Sequence, residues 1–393
     1  MGVEGRPAGT EGVRRRNTAA LLRSLRSGGA ASRAELAART GLAKATVGTI
    51  VAALEAGRAV SEEPTRGGGR GRPGRPVSLR GDRFAAMGLE LNVDYVAAVV
   101  LDLTGEVVLH ETRPVPDGRP VEALAALATA TLRRLGEQPD RELVGAVVAV
   151  PGLVRADDRT VAWAPNVDIG GDLVATRVEL ALGSSCPVHV TNDADCAAYA
   201  EAHHGAATDS SSLLYLTGTV GIGAGIVDNG VLVRGAAGFA GEVGHMPVGD
   251  PAVVCGCGRT GCWEASVGLH AMLRAVGMPE LGTPLASAEA VAARALDDEE
   301  VRVRLADLGR DLGLGLAVLA AVLDPAVVVL GGYFVPLGEL VLAPARATLT
   351  ERIVGASPGP ELRVGTLGIE AAALGAAERA FSGVFAGEAE LPV

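Results

Sequence analysis

Two stretches of the chain repeat one pattern and thereby limit the folds open to it. Residues 87–111 (MGLELNVDYVAAVVLDLTGEVVLHE) and 213–233 (LLYLTGTVGIGAGIVDNGVLV) each consist of three apolar runs separated by turn residues. Thr104-Gly105 and Asp228-Asn229-Gly230 are typical of tight turns between antiparallel strands. Each stretch therefore predicts a three-stranded meander.

A helix and a buried strand follow each predicted meander. After the first come VEALAALATATLRRL and LVGAVVAVPG, and after the second come VRLADLGRDLGLGLAVLAAVL and AVVVLGG. Helical segments that alternate with short apolar strands favour an α/β architecture. A weak internal repeat of this kind predicts two related α/β lobes with a ligand-binding cleft between them.

Composition narrows the class of protein. The 393 residues are 48% hydrophobic but only 3% aromatic, so Ala, Val and Leu must build the cores. We find no uncharged apolar run of the roughly 18 residues that a membrane span needs, and no secretory leader. Five cysteines, an odd and small number, favour reduced thiols over a disulfide framework. We therefore expect a cytoplasmic protein with no membrane segment.

Charge divides the chain into a basic head and an acidic body. Residues 1–83 hold 16 Lys and Arg against 7 Asp and Glu, whereas the remaining residues hold 19 against 39. A basic segment on an acidic protein indicates that this segment meets a polyanion, although a solvated basic arm would have the same charge.

The basic segment carries the pattern of a helix-turn-helix. Residues 17–29 have leucines at helical spacing, residues 32–41 open with a capping box of Ser32 and Glu35, and a third helix follows in residues 42–57. Tight Gly turns between short helices of this length are typical of DNA-binding motifs.

Side chains of the third helix and of a wing are the predicted DNA contacts. RAVSEE and PVSLR can pair as two strands, and the Gly- and Pro-rich segment between them can lay guanidinium groups along phosphates, or be a flexible basic linker. The chain's single lysine lies at the start of the third helix. The predicted contacts are Lys44, Thr46, Thr49, Arg66, Arg70, Arg72 and Arg75.

One His and three Cys lie together in GHMPVGDPAVVCGCGRTGCWE, residues 244–264. The four side chains, His245, Cys255, Cys257 and Cys262, have the softness and number that a closed tetrahedral Zn²⁺ site requires. A Cys255–Cys262 disulfide is an alternative that suits a cytoplasmic chain poorly, and a catalytic thiol would need a setting that lowers its pKa. The sequence thus predicts one structural zinc ion per chain.

GEVGHMPV followed by CGCGRTGCWE resembles the signature of the ROK family of sugar kinases and sugar-responsive repressors. The resemblance extends over roughly residues 87–380 through VAVPGLV, APNVDIGG, TNDADCAAYAE, GIGAGIV and VVVLGG. Together with the head it is similar to the repressor branch that regulates xylose and N-acetylglucosamine genes. It implies an actin-like, ribonuclease H-like double lobe with a structural zinc loop, in a homo-oligomer that is a dimer or a tetramer.

On this interpretation the chain divides into three parts. Residues 1–16 are expected to be a flexible basic N-terminus, 17–80 a winged helix-turn-helix and 81–393 the sugar-sensing body. Lobe one is expected over about 84–190 with a C-terminal helix over about 368–385, and lobe two over about 191–367.

The resemblance also implies a set of sugar contacts. Taken alone each has a plain alternative: a turn residue at Asn166, a helix cap at Asn192-Asp193, a surface charge at Glu242. Carboxylates and amides are nevertheless what the hydroxyls of a pyranose require. The implied set is Asn166, Asn192, Asp193, Glu242, His245 and Glu264.

In kinases of the family the counterpart of Asp193 is the general base. In those kinases the first phosphate loop carries an Asp followed by Gly-Gly-Thr, the second loop carries a Thr, and a further Gly lies near the nucleotide. This chain has other residues at these aligned positions. The departures are Glu90, Asn92, Val93, Asp94, Val220 and Tyr333. We therefore expect a regulator, not an enzyme, that binds a double-stranded DNA operator and a sugar or sugar-phosphate effector. The alternative is an active ROK-type kinase, hexose plus ATP to hexose phosphate, that carries a DNA-binding head.

Overall fold

The computed structural model describes residues 10–63, 75–115, 118–138, 140–183, 186–219, 221–354 and 358–392. The predicted contacts Arg66, Arg70 and Arg72 and the loop residue Val220 lie outside these ranges.

The head consists of three helices and three short strands. In chain order they are α1 (Thr10–Gly28), β1 (Ala31–Ser32), α2 (Arg33–Thr40), α3 (Lys44–Ala56), β2 (Val60–Glu62) and β3 (Pro76–Leu79). Because α1 begins at Thr10, the expectation of a flexible segment up to residue 16 is wrong for residues 10–16. Those residues continue the helical register that buries Leu21, Leu22 and Leu25.

Local signals of the head are formed as predicted. The Ser32 hydroxyl accepts from the Glu35 amide while the Glu35 carboxylate accepts from the Ser32 amide, which is the capping box. Gly41 ends α2 with φ of 70°, a conformation that glycine adopts without strain. β2 and β3 pair antiparallel as the wing strands.

Two five-stranded sheets of the same topology form the body. The first half of the body contains strands β4 (Phe84–Leu91), β5 (Tyr95–Asp102) and β6 (Val107–Pro114), helix α4 (Pro120–Gly136), strand β7 (Glu142–Val150), strands β8 (Leu153–Val154) and β9 (Val161–Trp163), helix α5 (Leu173–Ala181) and strand β10 (Val188–Asn192). β8 and β9 pair as a separate hairpin, and the other five strands form the first sheet. Its strand order is β6-β5-β4-β7-β10.

The second sheet repeats this order as β13-β12-β11-β14-β15. Its elements are α6 (Asp193–His204), β11 (Ser212–Gly218), β12 (Ile222–Asp228), β13 (Val231–Leu232), α7 (Glu264–Val267), α8 (Leu269–Val276), α9 (Pro284–Ala295), α10 (Glu299–Leu323), β14 (Val327–Gly332), α11 (Phe334–Leu337), α12 (Glu339–Arg352) and β15 (Glu361–Val364). In the first sheet β4 pairs antiparallel with β5 and parallel with β7. In the second sheet β11 pairs in the same way with β12 and β14. The predicted actin-like double lobe is therefore confirmed.

Two helices lie between the sheets. Gly88 of β4 faces the backbone of α13 (Ala371–Ala380), and Gly225 of β12 faces the backbone of α6, each so closely that a Cβ would collide. Gly375 of α13 in turn meets Cys196 of α6. Small residues at these crossings bring α6 and α13 into contact, so that α6 joins the edge of one sheet to the face of the other.

The head packs directly on the body. One apolar cluster combines Leu21 and Leu22 of α1 with Phe84 of β4, Leu101 of β5 and Phe381, which precedes α14 (Ser382–Ala386). In the described part of the chain no helix combines the length and the hydropathy that a membrane span demands.

Candidate functional site

The predicted metal ligands converge. One ligand atom from each of His245, Cys255, Cys257 and Cys262 lies within 4.8 Å of all the others. The Sγ atoms of Cys257 and Cys262 are 3.6 Å apart, and Cys255 Sγ is 3.8 Å from Nδ1 of His245. Sulfur ligands at about 2.3 Å from a tetrahedral Zn²⁺ would be separated by roughly 3.8 Å, so the donor set and its spacing fit a metal ion.

The loop around these ligands is held by its own backbone. The Cys255 amide donates to the Arg259 carbonyl and the Gly258 amide to the Cys255 carbonyl, which closes a tight turn between the ligands. The backbone amide of Arg259, rather than its guanidinium, is the largest influence that lowers the pKa of Cys257. Desolvation instead raises the pKa of the Cys255 and Cys262 thiols, so Cys257 is the one of these three cysteines that ionises readily without a bound cation.

Glu264 connects the loop of the predicted metal ligands to the turn between β11 and β12. Its Oε2 accepts from the Ile222 amide at 2.9 Å, and its Oε1 lies 3.5 Å from Cys255 Sγ. Gly221 leaves no room for a side chain here because a Cβ would meet the same carboxylate. The Glu264 side chain is thus a structural brace as well as a candidate ligand contact.

Glu242 and His245 face an open cavity of about 540 Å³. Desolvation raises the pKa of Glu242, and the charge of Glu264 adds to this effect while His245 opposes it. The cavity lies within the range of ligand sites in proteins, roughly 300–1,000 Å³.

Asn192 is the N-cap of α6, which was the alternative to a sugar contact at this position. Its Oδ1 accepts from the Asp195 amide at 3.1 Å, and its Nδ2 donates to the Gly152 carbonyl at 3.0 Å. Asp193 follows as the first residue of α6, where burial, with a smaller contribution from the charge of Glu242, raises its pKa to about 6. The structure therefore brings Asp193 into the electrostatic field of the cavity wall.

Asn166 lies in the turn after β9 and is exposed. Three residues before it, Trp163 lines the cavity with 45% of its side chain exposed. Sequence reasoning missed this residue, although a tryptophan beside the APN motif, one of two in the chain, is a signal that could have found it.

The loop that corresponds to a first phosphate loop is closed by its own side chains. Glu90 is buried, and its Oε1 accepts from Tyr95 Oη at 2.6 Å and from Asn92 Nδ2 at 3.1 Å. Asn92 Oδ1 in turn accepts from the Val93 amide at 2.7 Å, which occupies a donor that a phosphate would need. Burial raises the pKa of Glu90 to about 7. Asp94 and Val93 point outward at the tip.

Tyr333 fills space beside the second loop. Its ring lies against Gly218, where a Cβ would collide with it, and its hydroxyl donates to the Val267 carbonyl at 2.8 Å. The side chain is 1% exposed. Tyr333 is thus a core residue between β11 and α7.

The predicted DNA contacts in the described residues differ in exposure. Lys44, Thr49 and Arg75 are exposed and Thr46 is half-buried, and their contact with DNA stays a prediction. Thr46 and Thr49 both line a cleft between α1, α3 and residues 389–391, the segment that returns to the head. The Thr49 hydroxyl donates to the Ala45 carbonyl of its own helix.

A network of charges connects α6 to the head. Glu378 of α13 is buried and its Oε2 lies 2.6 Å from Arg26 of α1 and 3.0 Å from Nε2 of His204, the last residue of α6. Burial alone would raise the pKa of Glu378, but the bond to His204 and the charge of Arg26 hold it below its ordinary value. Arg26 also donates to the Leu103 carbonyl of the first sheet's β5–β6 turn. Nothing in the sequence pattern indicated this network.

Comparison with known proteins gives a consistent result. The profile described as ROK family matches residues 86–381. The xylose repressor of Bacillus subtilis is 31% identical over 373 residues, which covers 92% of this chain and 94% of that protein. A glucokinase of Streptomyces coelicolor is also 31% identical, over 316 residues that cover 75% of this chain and 98% of the glucokinase. A ROK family transcriptional regulator, a homologue of the Escherichia coli Mlc protein, superposes with a TM-score of 0.80 at 22% identity, over 96% of this chain and 98% of the other.

Proposed function

The chain belongs to the ROK family, and from that premise we propose that it is a sugar-responsive transcriptional repressor. Its operator binding is modulated by a sugar or sugar phosphate in the cleft between the lobes. The observation that carries the proposal is the share of this chain that each relative matches. The S. coelicolor glucokinase is matched over almost its whole length within 75% of this chain, whereas the match to the B. subtilis xylose repressor covers 92%. A helix-turn-helix head on a body of this family distinguishes a regulator from a kinase.

The head, residues 17–80 in our division, supplies the DNA contacts of this proposal. Lys44 and Thr49 on α3 reach the major groove, while Arg75 and the arginines of the wing neutralise phosphates. The high positive charge of residues 1–83 supports this assignment. The body acts as a homo-oligomer, so that two heads address two half-sites.

One zinc ion per chain braces the sugar site in this proposal. His245, Cys255, Cys257 and Cys262 hold it, and the convergence of their ligand atoms supports the assignment. The metal contributes rigidity to the loop that presents Glu242 and His245. A bound ion would fix the orientation and the tautomer of the His245 ring, as metal-binding histidines generally require.

The effector is held by polar groups from both lobes. Asp193 and Glu242 accept from sugar hydroxyls, and Asn166, Asn192, His245 and Glu264 complete the set. Asp193, at the kinase base position, has no reaction to catalyse. Support comes from the influence of the Glu242 charge on the pKa of Asp193, because this influence requires proximity.

Helix α6 carries the signal to the head. It begins at Asp193 and ends at His204, whose ring meets Glu378 and through it Arg26 of α1. Closure of the lobes on a sugar shifts α6, and the shared carboxylate transmits the shift to the head. Since half-sites lie one helical turn of DNA apart, about 34–36 Å, or a multiple of it, a small rotation of each head lowers operator affinity.

An active kinase is the second candidate, favoured by the similarity to the S. coelicolor glucokinase. The arrangement of Glu90, Asn92 and Val93 argues against it, because the loop amide that a phosphate would use is already bonded within the loop. Phosphoryl transfer depends almost entirely on such positioning groups.

The experiment proceeds in two stages on the zinc-loaded full-length protein. Selection from genomic DNA fragments identifies the operator, and fluorescence anisotropy then measures operator affinity with and without a panel of sugars and sugar phosphates. We expect one group of related sugars to weaken operator binding. Equal affinity for operator and random DNA, or hexose-dependent release of ADP from ATP that is lost in Asp193→Asn, would overturn the proposal.

A further inference from the structure

Trp163 is a large apolar side chain at the surface of the protein. It is 45% exposed, whereas Trp263, the other tryptophan, is completely buried. Trp163 closes strand β9 opposite Leu153 of β8, and both line the cavity that also contains Glu242, His245 and Met246. The lining of the cavity thus combines apolar side chains with hydrogen-bonding groups.

The hairpin that carries Trp163 is held firmly at three points. Gly152 at its base accepts from Asn192, and the Val190 amide donates to the Asp158 carbonyl at 2.8 Å. Arg234 bonds to Asp158 and lies 3.6 Å from Asp195 of α6. The hairpin that carries Trp163 is therefore fixed relative to the start of α6.

The charges around the cavity disfavour an anionic ligand. Glu242 lines the cavity, and Asp193 and Glu264 each lie close enough to interact with its carboxylate, so an added anion would meet like charge here. Among the described residues that line the cavity, Arg259 is the one permanent cation, and its guanidinium interacts with Cys257. A ligand that suits this cavity is neutral, with an apolar face and polar edges.

We propose that Trp163 is a specificity-determining residue that stacks against the C–H face of a neutral pyranose whose hydroxyls are bound by Glu242 and His245. This inference rests on the proposed function and names its ligand class: an unphosphorylated sugar. A ring with equatorial hydroxyls lies flat on the indole, whereas an axial hydroxyl on the stacked face meets apolar carbon without a partner. Such an unpaired polar group is costly, so epimers are discriminated.

The test measures sugar binding by calorimetry and tryptophan emission in parallel on the full-length protein. The probes are D-xylose, D-glucose, D-galactose and glucose 6-phosphate. The variants are Trp163→Ala, Trp163→Phe and, as a matched control, Leu180→Ala, which removes another apolar side chain of the first lobe that is 69% exposed but lines no part of this cavity.

We expect an equatorial sugar to bind wild type and to protect its emission from acrylamide. Trp163→Ala weakens binding about ten-fold, Trp163→Phe largely retains it, and Leu180→Ala does not change it. In Trp163→Phe the emission comes from buried Trp263 alone and no longer responds to sugar. Glucose 6-phosphate binds more weakly than glucose.

Three results would overturn the inference, and they differ in whether the proposed function survives. If sugar binds Trp163→Ala as it binds wild type and still releases the operator, or if glucose 6-phosphate binds more tightly than glucose, the stacking role or the ligand class is wrong while the proposed function stands. If none of the sugars and sugar phosphates of the larger panel alters operator affinity in wild type, both fail together.

Discussion

Separating Arg26 from Glu378 should uncouple the sugar site from the DNA-binding head. The side chain of Glu378 is 5% exposed and that of Arg26 is 17% exposed, at a distance of 2.6 Å. We consider Arg26→Met, which leaves the carboxylate with His204 alone, Glu378→Gln, which removes the charge, and the double variant.

The size of the effect follows from burial. Removal of one partner from a buried ion pair costs about 3–5 kcal/mol because the other charge stays desolvated. Arg26 is partly exposed and Glu378 keeps His204, so we expect about 2 kcal/mol for Arg26→Met and about 1–2 kcal/mol for Glu378→Gln. Since the double variant contains no unpaired charge, its loss should be smaller than the sum, with a coupling energy of about 1–2 kcal/mol.

The assay combines urea unfolding with operator affinity measured at zero and saturating sugar. If the network carries the signal, the sugar-induced change in operator Kd falls about ten-fold, toward no change, in both single variants, while sugar affinity itself is kept. Glu299→Gln serves as control, because Glu299 forms a pair with Arg302 on α10 but is 75% exposed, and such pairs contribute less than about 1 kcal/mol. A normal sugar response in Arg26→Met and Glu378→Gln would refute the reasoning.

Three further predictions concern single side chains. Burial raises the pKa of Glu90 from 4.5 to about 7, so ionisation of this carboxyl destabilises the fold increasingly as pH rises through this range. The free energy of unfolding of Glu90→Gln, relative to that of wild type, should therefore rise by up to about 3 kcal/mol between pH 4.5 and pH 8. Urea titrations that give the same difference between the two proteins at both pH values would contradict this. Cys257→Ser should lower bound zinc from about one ion per chain, measured by mass spectrometry, and should reduce both the melting temperature and sugar affinity; unchanged sugar affinity would show that the metal does not brace the site. Lys44→Ala should weaken operator binding and reduce its salt dependence by about one ion. Arg304→Ala, on the exposed face of α10, is a control of equal charge change, and an unaltered salt slope in Lys44→Ala would remove Lys44 from the interface.

Much of the candidate site was predictable because its signals are local. The spacing of Cys255, Cys257 and Cys262 around single glycines dictates a tight loop, and the structure adds the convergence with His245. Asn192 has two predicted roles, and its hydrogen bonds establish the cap. No local signal indicated that residues 389–391, more than 300 positions away in the chain, share a cleft with Thr46 and Thr49.

The sequence by itself determined the two meanders, the repeated order of strands and helices, and the caps of the head. These follow from the two-residue period of a strand, the 3.6-residue period of a helix and turn residues at fixed positions, all of which act over a few neighbours.

Only the tertiary structure decided which distant side chains meet. Glu378 binds Arg26 from 352 residues away and His204 from 174 residues away, and Trp163 lines the same cavity as Glu242 and His245. Such pairs depend on how rigid elements pack and on which groups lose water there, and no local periodicity encodes that outcome.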